Sequence, residues 1–216
     1  MRRPLIIIVA LLASMSLVLP NAGAGHRFAG HWRAAVTPFN VRFIDSATKS
    51  WSGVMQSAAD EWSKSGVLNA VIEPGAADRR TRRRCRPADG AVRICNYGYG
   101  NTGWVGYTVA VVKNKHFVRV AIKLNSTYLG RRNRKVMCHE MGHGLGLGHR
   151  STTSSCMKQG SASKTPDRHD YRMLERIYGH AHAASFASSA DTSTTTSDDG
   201  KTKVIRIRYP VEAMRR

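Results

Sequence analysis

The chain has 216 residues, which fits one domain with appendages and suffices to bury a core. Lys and Arg outnumber Asp and Glu by 34 to 14, for a formal charge of +20; such a field favours anionic surfaces or substrates. No recognition motif or aromatic-interleaved basic run accompanies the charge, which argues against specific nucleic-acid binding, and past residue 24 no stretch is long and apolar enough to cross a bilayer.

Arg2 and Arg3 open the sequence, residues 5–19 are almost wholly apolar, Pro20 breaks the run, and Ala22-Gly23-Ala24 follows. Basic start, short apolar core and small-x-small end predict a cleaved secretory signal peptide over residues 1–24 rather than a membrane anchor. The mature chain is then secreted and begins at Gly25, with an entry segment over residues 25–35. Residues 40–45 alternate, with Val41 and Phe43 on one side, and predict a strand. Residues 47–64 predict a helix, because Trp51, Val54, Met55, Ala58 and Trp62 recur at helical spacing; Ser46 is placed to cap it and Gly66 to end it. Residues 67–73 read as a strand.

Residues 74–90, rich in Arg with Pro and Gly, read as an exposed excursion. Strands are expected over residues 91–97, 103–112 and 117–124, the last two antiparallel across a turn at residues 113–116. Secretion makes disulfides plausible. The four cysteines allow three pairings; Cys85–Cys95, bracketing a turn-like segment, and Cys138–Cys156, stapling a loop to the helix that follows, are the expected pairs.

That helix, expected to start between residues 126 and 131 and end near Gly144, carries the most specific stretch of the chain. Residues 139–149 read H-E-x-x-H-x-x-G-x-x-H. His139 and His143 sit one turn apart on one helix face, with Cβ atoms roughly 5–6 Å apart, so both imidazoles can reach one ion. Glu140 lies about 100° further round, beside the ion, within reach of water. Gly146 can take the left-handed conformation that ends the helix, and the returning chain brings in His149. Three neutral imidazoles leave a fourth tetrahedral position open, the arrangement of a catalytic rather than a structural zinc. Met137, Met141 and Leu145, spaced four apart, should face the core. A last helix starts at Thr165-Pro166-Asp167, with Thr165 as cap, and stops at Gly179. Residues 183–200 read as a Ser/Thr-rich linker. Residues 201–216 form a basic tail, in which the alternation over residues 203–209 suits an edge strand or an adhesive segment.

The zinc stretch resembles the signature of the metzincin metalloproteases. The element order, Gly103-Trp104-Val105-Gly106 and Leu124-Asn125-Ser126-Thr127-Tyr128 are most similar to matrixin-like secreted bacterial peptidases. The resemblance, over residues 36–179, implies an α+β metzincin-like zinc-peptidase domain (residues 36–182): a twisted, mostly β upper lobe with two helices, the zinc helix, a Met-turn and a C-terminal helix. It implies one catalytic Zn²⁺ on His139, His143 and His149, Glu140 as the base for water, and Met157 in the Met-turn beneath the metal. The implied function is a secreted, monomeric zinc-dependent endopeptidase acting on protein or peptide, bound by strand addition to a sheet edge within residues 109–124. Departures are Arg150 after the third His, and His169-Asp170 where animal matrixins carry paired Asp; Asp170 either braces the Met loop or lies on the helix surface. No calcium-binding loop of strong pattern is seen. Two other readings stand beside the enzyme: a non-proteolytic secreted zinc-binding protein, and a basic binding module for anionic cell-envelope polymer.

Overall fold

The computed structural model describes residues 26–129, 133–151, 155–179, 192–196 and 201–214. The signal peptide expected over residues 1–24 and most of the linker expected over residues 183–200 lie outside them.

Alternation makes the first strand: Val41 and Phe43 are buried while Asn40 and Arg42 face out, in β1 (Phe39–Asp45). The helix expected next begins as a 3-10 turn, Lys49–Trp51, and continues as α1 (Ser52–Ser63), burying Met55, Ala58, Ala59 and Trp62. Ser46 does not cap it. Its buried hydroxyl accepts from Arg93 at 3.0 Å. The carboxylate of Asp45, a stronger acceptor one residue earlier, takes the Ala47 N–H at 3.0 Å and the Ser52 hydroxyl at 2.9 Å. Gly66, at φ 73°, turns the chain into β2 (Leu68–Pro74).

The Arg-rich segment is not all loop. Asp78 accepts from the backbone N–H groups of Arg80 and Thr81, at 2.9 and 3.0 Å, and so caps a short helix, α2 (Arg79–Arg84). A disulfide from Cys85, at its end, to Cys95 pins it to the sheet. After β3 (Ala88–Asp89) and β4 (Val92–Tyr97), β5 (Trp104–Lys113) and β6 (His116–Asn125) form a hairpin. Its turn has both central residues, Asn114 and Lys115, left-handed at φ 50° and 66°, the handedness that suits strand twist.

The described part of the helix that carries the histidines is α3 (Asn133–Gly144); residues 130–132, inside or next to its expected start, lie outside the described residues. Met137, Met141 and Leu145 are fully buried, each contributing about 1.5–3 kcal/mol relative to an exposed side chain. The last helix is α4 (Arg168–Tyr178), and its cap is Asp167 rather than Thr165. Asp167 and Asp170 form a reciprocal capping box, which satisfies two backbone donors where a threonine hydroxyl satisfies one.

The C-terminal region differs most from expectation. Five residues of the expected linker form β7 (Thr192–Thr196), and most of the expected tail forms β8 (Thr202–Pro210). The sheet order is β2-β1-β4-β6-β5-β8-β7, with β3 on β6. The β1/β2, β1/β4 and β4/β6 pairs are parallel, and those of β5/β6, β5/β8 and β7/β8 antiparallel. Ile205, Ile207 and Tyr209 gain a buried face by this pairing, which is why the basic alternation becomes an interior strand. The substrate edge expected within residues 109–124 is therefore not open: β6 lies between β4 and β5, and β8 runs along the outer side of β5. Helices α1 and α3 pack against each other on one face of the sheet, α1 on β2 and α3 on β5 and β6. Val120, Ile122 and Leu124 join that core, while Ala121 points to the other face with Cys85 and Cys95. Among the described residues no helix is long and apolar enough to cross a membrane.

Candidate metal centre

The end of α3 folds as the glycines dictate. Gly146 N–H donates to His143 O at 3.1 Å and Leu147 N–H to Gly142 O at 3.0 Å, the paired bonds of a Schellman turn, with Gly146 at φ 97°. The turn reverses the chain and carries His149 back over α3. It also presents the Leu147 carbonyl, which lies 2.8 Å from His143 Nδ1.

His139, His143 and His149 come together with their ligand atoms within 4.8 Å of one another. The Nε2 of His143 lies 3.0 Å from that of His139 and 3.1 Å from that of His149. Two ligands on a tetrahedral ion at about 2.05 Å stand roughly 3.3 Å apart. His139 Nδ1 lies 2.7 Å from the Cys156 carbonyl. A carbonyl only accepts, so both Nδ1 atoms carry the proton and both Nε2 atoms are bare lone pairs. Two lone pairs at 3.0 Å have no proton to share, and a cation between them removes the repulsion. Burial, reinforced by the neighbouring imidazoles, holds the His139 and His143 pKa values well below the ordinary histidine range, so both rings stay neutral. Three imidazole nitrogens suit zinc, and these residues fit the ion.

Glu140 is fully buried beside this group. Thr108 on β5 donates its hydroxyl to Glu140 Oε2 at 2.5 Å, while Oε1 is buried without a partner among the described residues. Burial pushes the carboxyl up to about 8, against the opposing effect of the Thr108 bond. Gly106, also on β5, makes room: a Cβ there would strike the Glu140 carboxyl.

The loop after His149 closes underneath. Met157 is buried against Gly142, where a Cβ would collide with the Met157 sulfur and with Trp62. The Cys138–Cys156 disulfide ties this loop to α3. Ser155 donates to Asp170 Oδ2 at 2.5 Å and accepts the Met157 N–H at 2.9 Å. Asp170 thus braces the methionine loop rather than lying on the helix surface. Arg150 serves the same closure. Its guanidinium reaches both Asp167 oxygens at 2.7 Å. His26 Nε2 lies 3.0 Å from Asp170 Oδ1.

Sequence reasoning singled out the three histidines, Glu140, Met157 and the four cysteines, and the structure brings each group together. It passed over Thr108 and Tyr209, whose ring centroid is 4.6 Å from that of His139. Neither carries a local motif; each reaches the site only through strand pairing.

No protein-family model matches the sequence, and no curated protein matches it. Among solved structures the chain is similar to High choriolytic enzyme 1, a hatching enzyme zinc-protease from Oryzias latipes (medaka fish). The match has 11% identity and a TM-score of 0.43, and covers 69% of this chain and 94% of that one.

Proposed function

We propose that this chain is a secreted zinc-dependent endopeptidase of the metzincin type, matrixin-like in its motifs. The observation that carries the reading is the convergence of three imidazole Nε2 atoms on one point, next in sequence to a buried Glu140 with one oxygen lacking a partner among the described residues. His139, His143 and His149 would hold the ion, which when bound supplies Lewis acidity, acidifying water and polarising a peptide carbonyl. The charge of the bound ion would favour the ionised form of Glu140, against the burial that raises its pKa, so that Oε1 would take a proton from the attacking water and hand it to the leaving amine. Thr108 holds the other oxygen, so the carboxylate presents Oε1 in one orientation. Cys156 and Leu147 carbonyls keep two imidazoles in the ligating tautomer, a role whose loss costs about 10–100-fold in metal affinity. Two disulfides, Cys85–Cys95 and Cys138–Cys156, support an oxidising, extracellular location. The exposed guanidinium groups of Arg79, Arg80, Arg83 and Arg84 around one surface recess support contact with an anionic envelope polymer.

The test is casein hydrolysis by the zinc-loaded chain. Activity abolished by a chelator, restored by zinc and absent in Glu140→Gln supports the reading. A zinc-loaded chain that cuts nothing in any form would leave the non-proteolytic zinc protein as the better account.

A further inference from the structure

Glu140, His139 and His143 have no exposed surface. Glu140 Oε1 is closed to an incoming peptide in this arrangement, and the last strand lies along the β5 residues that frame Glu140. β8 runs antiparallel along the outer side of β5, from Lys113↔Thr202 to Trp104↔Pro210. The two β5 residues that frame Glu140, Gly106 and Thr108, pair with Tyr209 and Ile207. An extended peptide adding to β5 would use the same main-chain groups.

Side chains of β8 also reach the metal-binding group. The Tyr209 ring packs edge-on against His139, with centroids 4.6 Å apart. Its hydroxyl lies 3.4 Å from Gly160 N. The Arg208 carbonyl lies 3.4 Å from Gln159 Nε2, which is 3.3 Å from His149 Nε2. Substrate-like pairing on one edge and contacts to two ligand histidines or their neighbour are combined in one strand.

We propose that β8 is a built-in pseudo-substrate: it fills the peptide slot on β5 and shuts the site until it is displaced. This rests on the endopeptidase reading of the same site. Because the strand is tethered, it competes at high effective concentration, and only a cut, a release or a better-fitting strand opens the slot.

The test uses the full zinc-loaded chain with a cleavage sequence for a specific exogenous protease inserted at residues 197–200, between β7 and β8. The chain folds with β8 in place and is then cut and passed over a sizing column. Released and uncut samples are compared for circular dichroism, for binding of a peptide hydroxamate, and for casein hydrolysis. The expected result is a folded core that binds the hydroxamate and cuts casein on the order of 100-fold better than the uncut chain. Adding back a peptide of residues 201–214 should reverse both gains. Hydroxamate binding that appears on release without casein hydrolysis would uphold the cover and sink the endopeptidase reading. Equal binding before and after release would overturn the cover. So would a strand that stays bound after the cut, or a core that unfolds when it leaves, since β8 would then be a permanent part of the sheet.

Discussion

The candidate metal centre and the last strands of the sheet are built in opposite ways. In the centre, the histidines and Met157 are held from several sides by neighbours close in sequence, while Glu140 is held by Thr108 on β5. The Schellman turn after α3 fixes His143, the disulfide and the Ser155–Asp170 bond fix the loop that orients His139, and Gly142 seats Met157. In the last strands, β8 is paired with β5, about a hundred residues earlier, and with β7 outside it, and it adds Ile205, Ile207 and Tyr209 to the core. Rigid chemistry and a removable cover need different bonding. Over-determined groups keep lone pairs aimed; a strand pair, β7 and β8, joined to the rest of the sheet along β5 can open as a unit.

Glu140→Gln should sharpen this comparison most. It removes the proton acceptor and leaves the imidazoles in place, so casein turnover should fall about 10²–10⁴-fold with zinc content unchanged. An active variant would remove Glu140 from the chemistry. Ile207→Asp acts on the edge instead. It puts a charge on the buried face of β8, so the strand should leave β5 and turnover should rise, by about 10–100-fold if tethering is all that holds the slot shut. A fall in turnover with normal zinc content would mean that the strand supports the site.

Gly142→Ala drives a methyl into the Met157 sulfur and should cost about 1–3 kcal/mol by thermal or denaturant unfolding, with weaker zinc retention. Unchanged stability and metal affinity would show that the methionine loop can give way. The smallest effect on chemistry is expected at Cys85 and Cys95, replaced together by serine. That removes the staple between α2 and β4 for a loss of about 2–3 kcal/mol, while zinc stoichiometry holds, since this disulfide lies on the sheet face away from α3. Loss of metal there would deny that the two regions are independent.

What could be read from residues alone follows the same division. The i, i+4 histidines, the glycine that ends their helix and the apolar face Met137-Met141-Leu145 are local patterns, and a helix converts them directly into geometry. The cap of the last helix was misplaced by two positions because Asp167 outcompetes the hydroxyl of Thr165, and the helix expected to be capped by Ser46 starts instead from a 3-10 turn with no side-chain cap bond. The helix over Arg79–Arg84 hid among arginines that resemble a loop, although Asp78 signals its start. Thr108, Gly106 and Tyr209 could not be connected to Glu140 and His139 from the sequence, because strand register is settled by the whole sheet. The closed edge of β5 is the largest consequence of that kind: the alternation of Ile205, Ile207 and Tyr209 was visible, its partner was not.

The central claim is that three imidazoles share one ion, and X-ray absorption at the zinc edge of the metal-loaded chain tests it directly. The account predicts a shell containing three imidazole nitrogens at about 2.0–2.1 Å and no sulfur, reduced in His143→Ala. A shell of oxygens alone, or sulfur at about 2.3 Å from an opened Cys138–Cys156 pair, would contradict it.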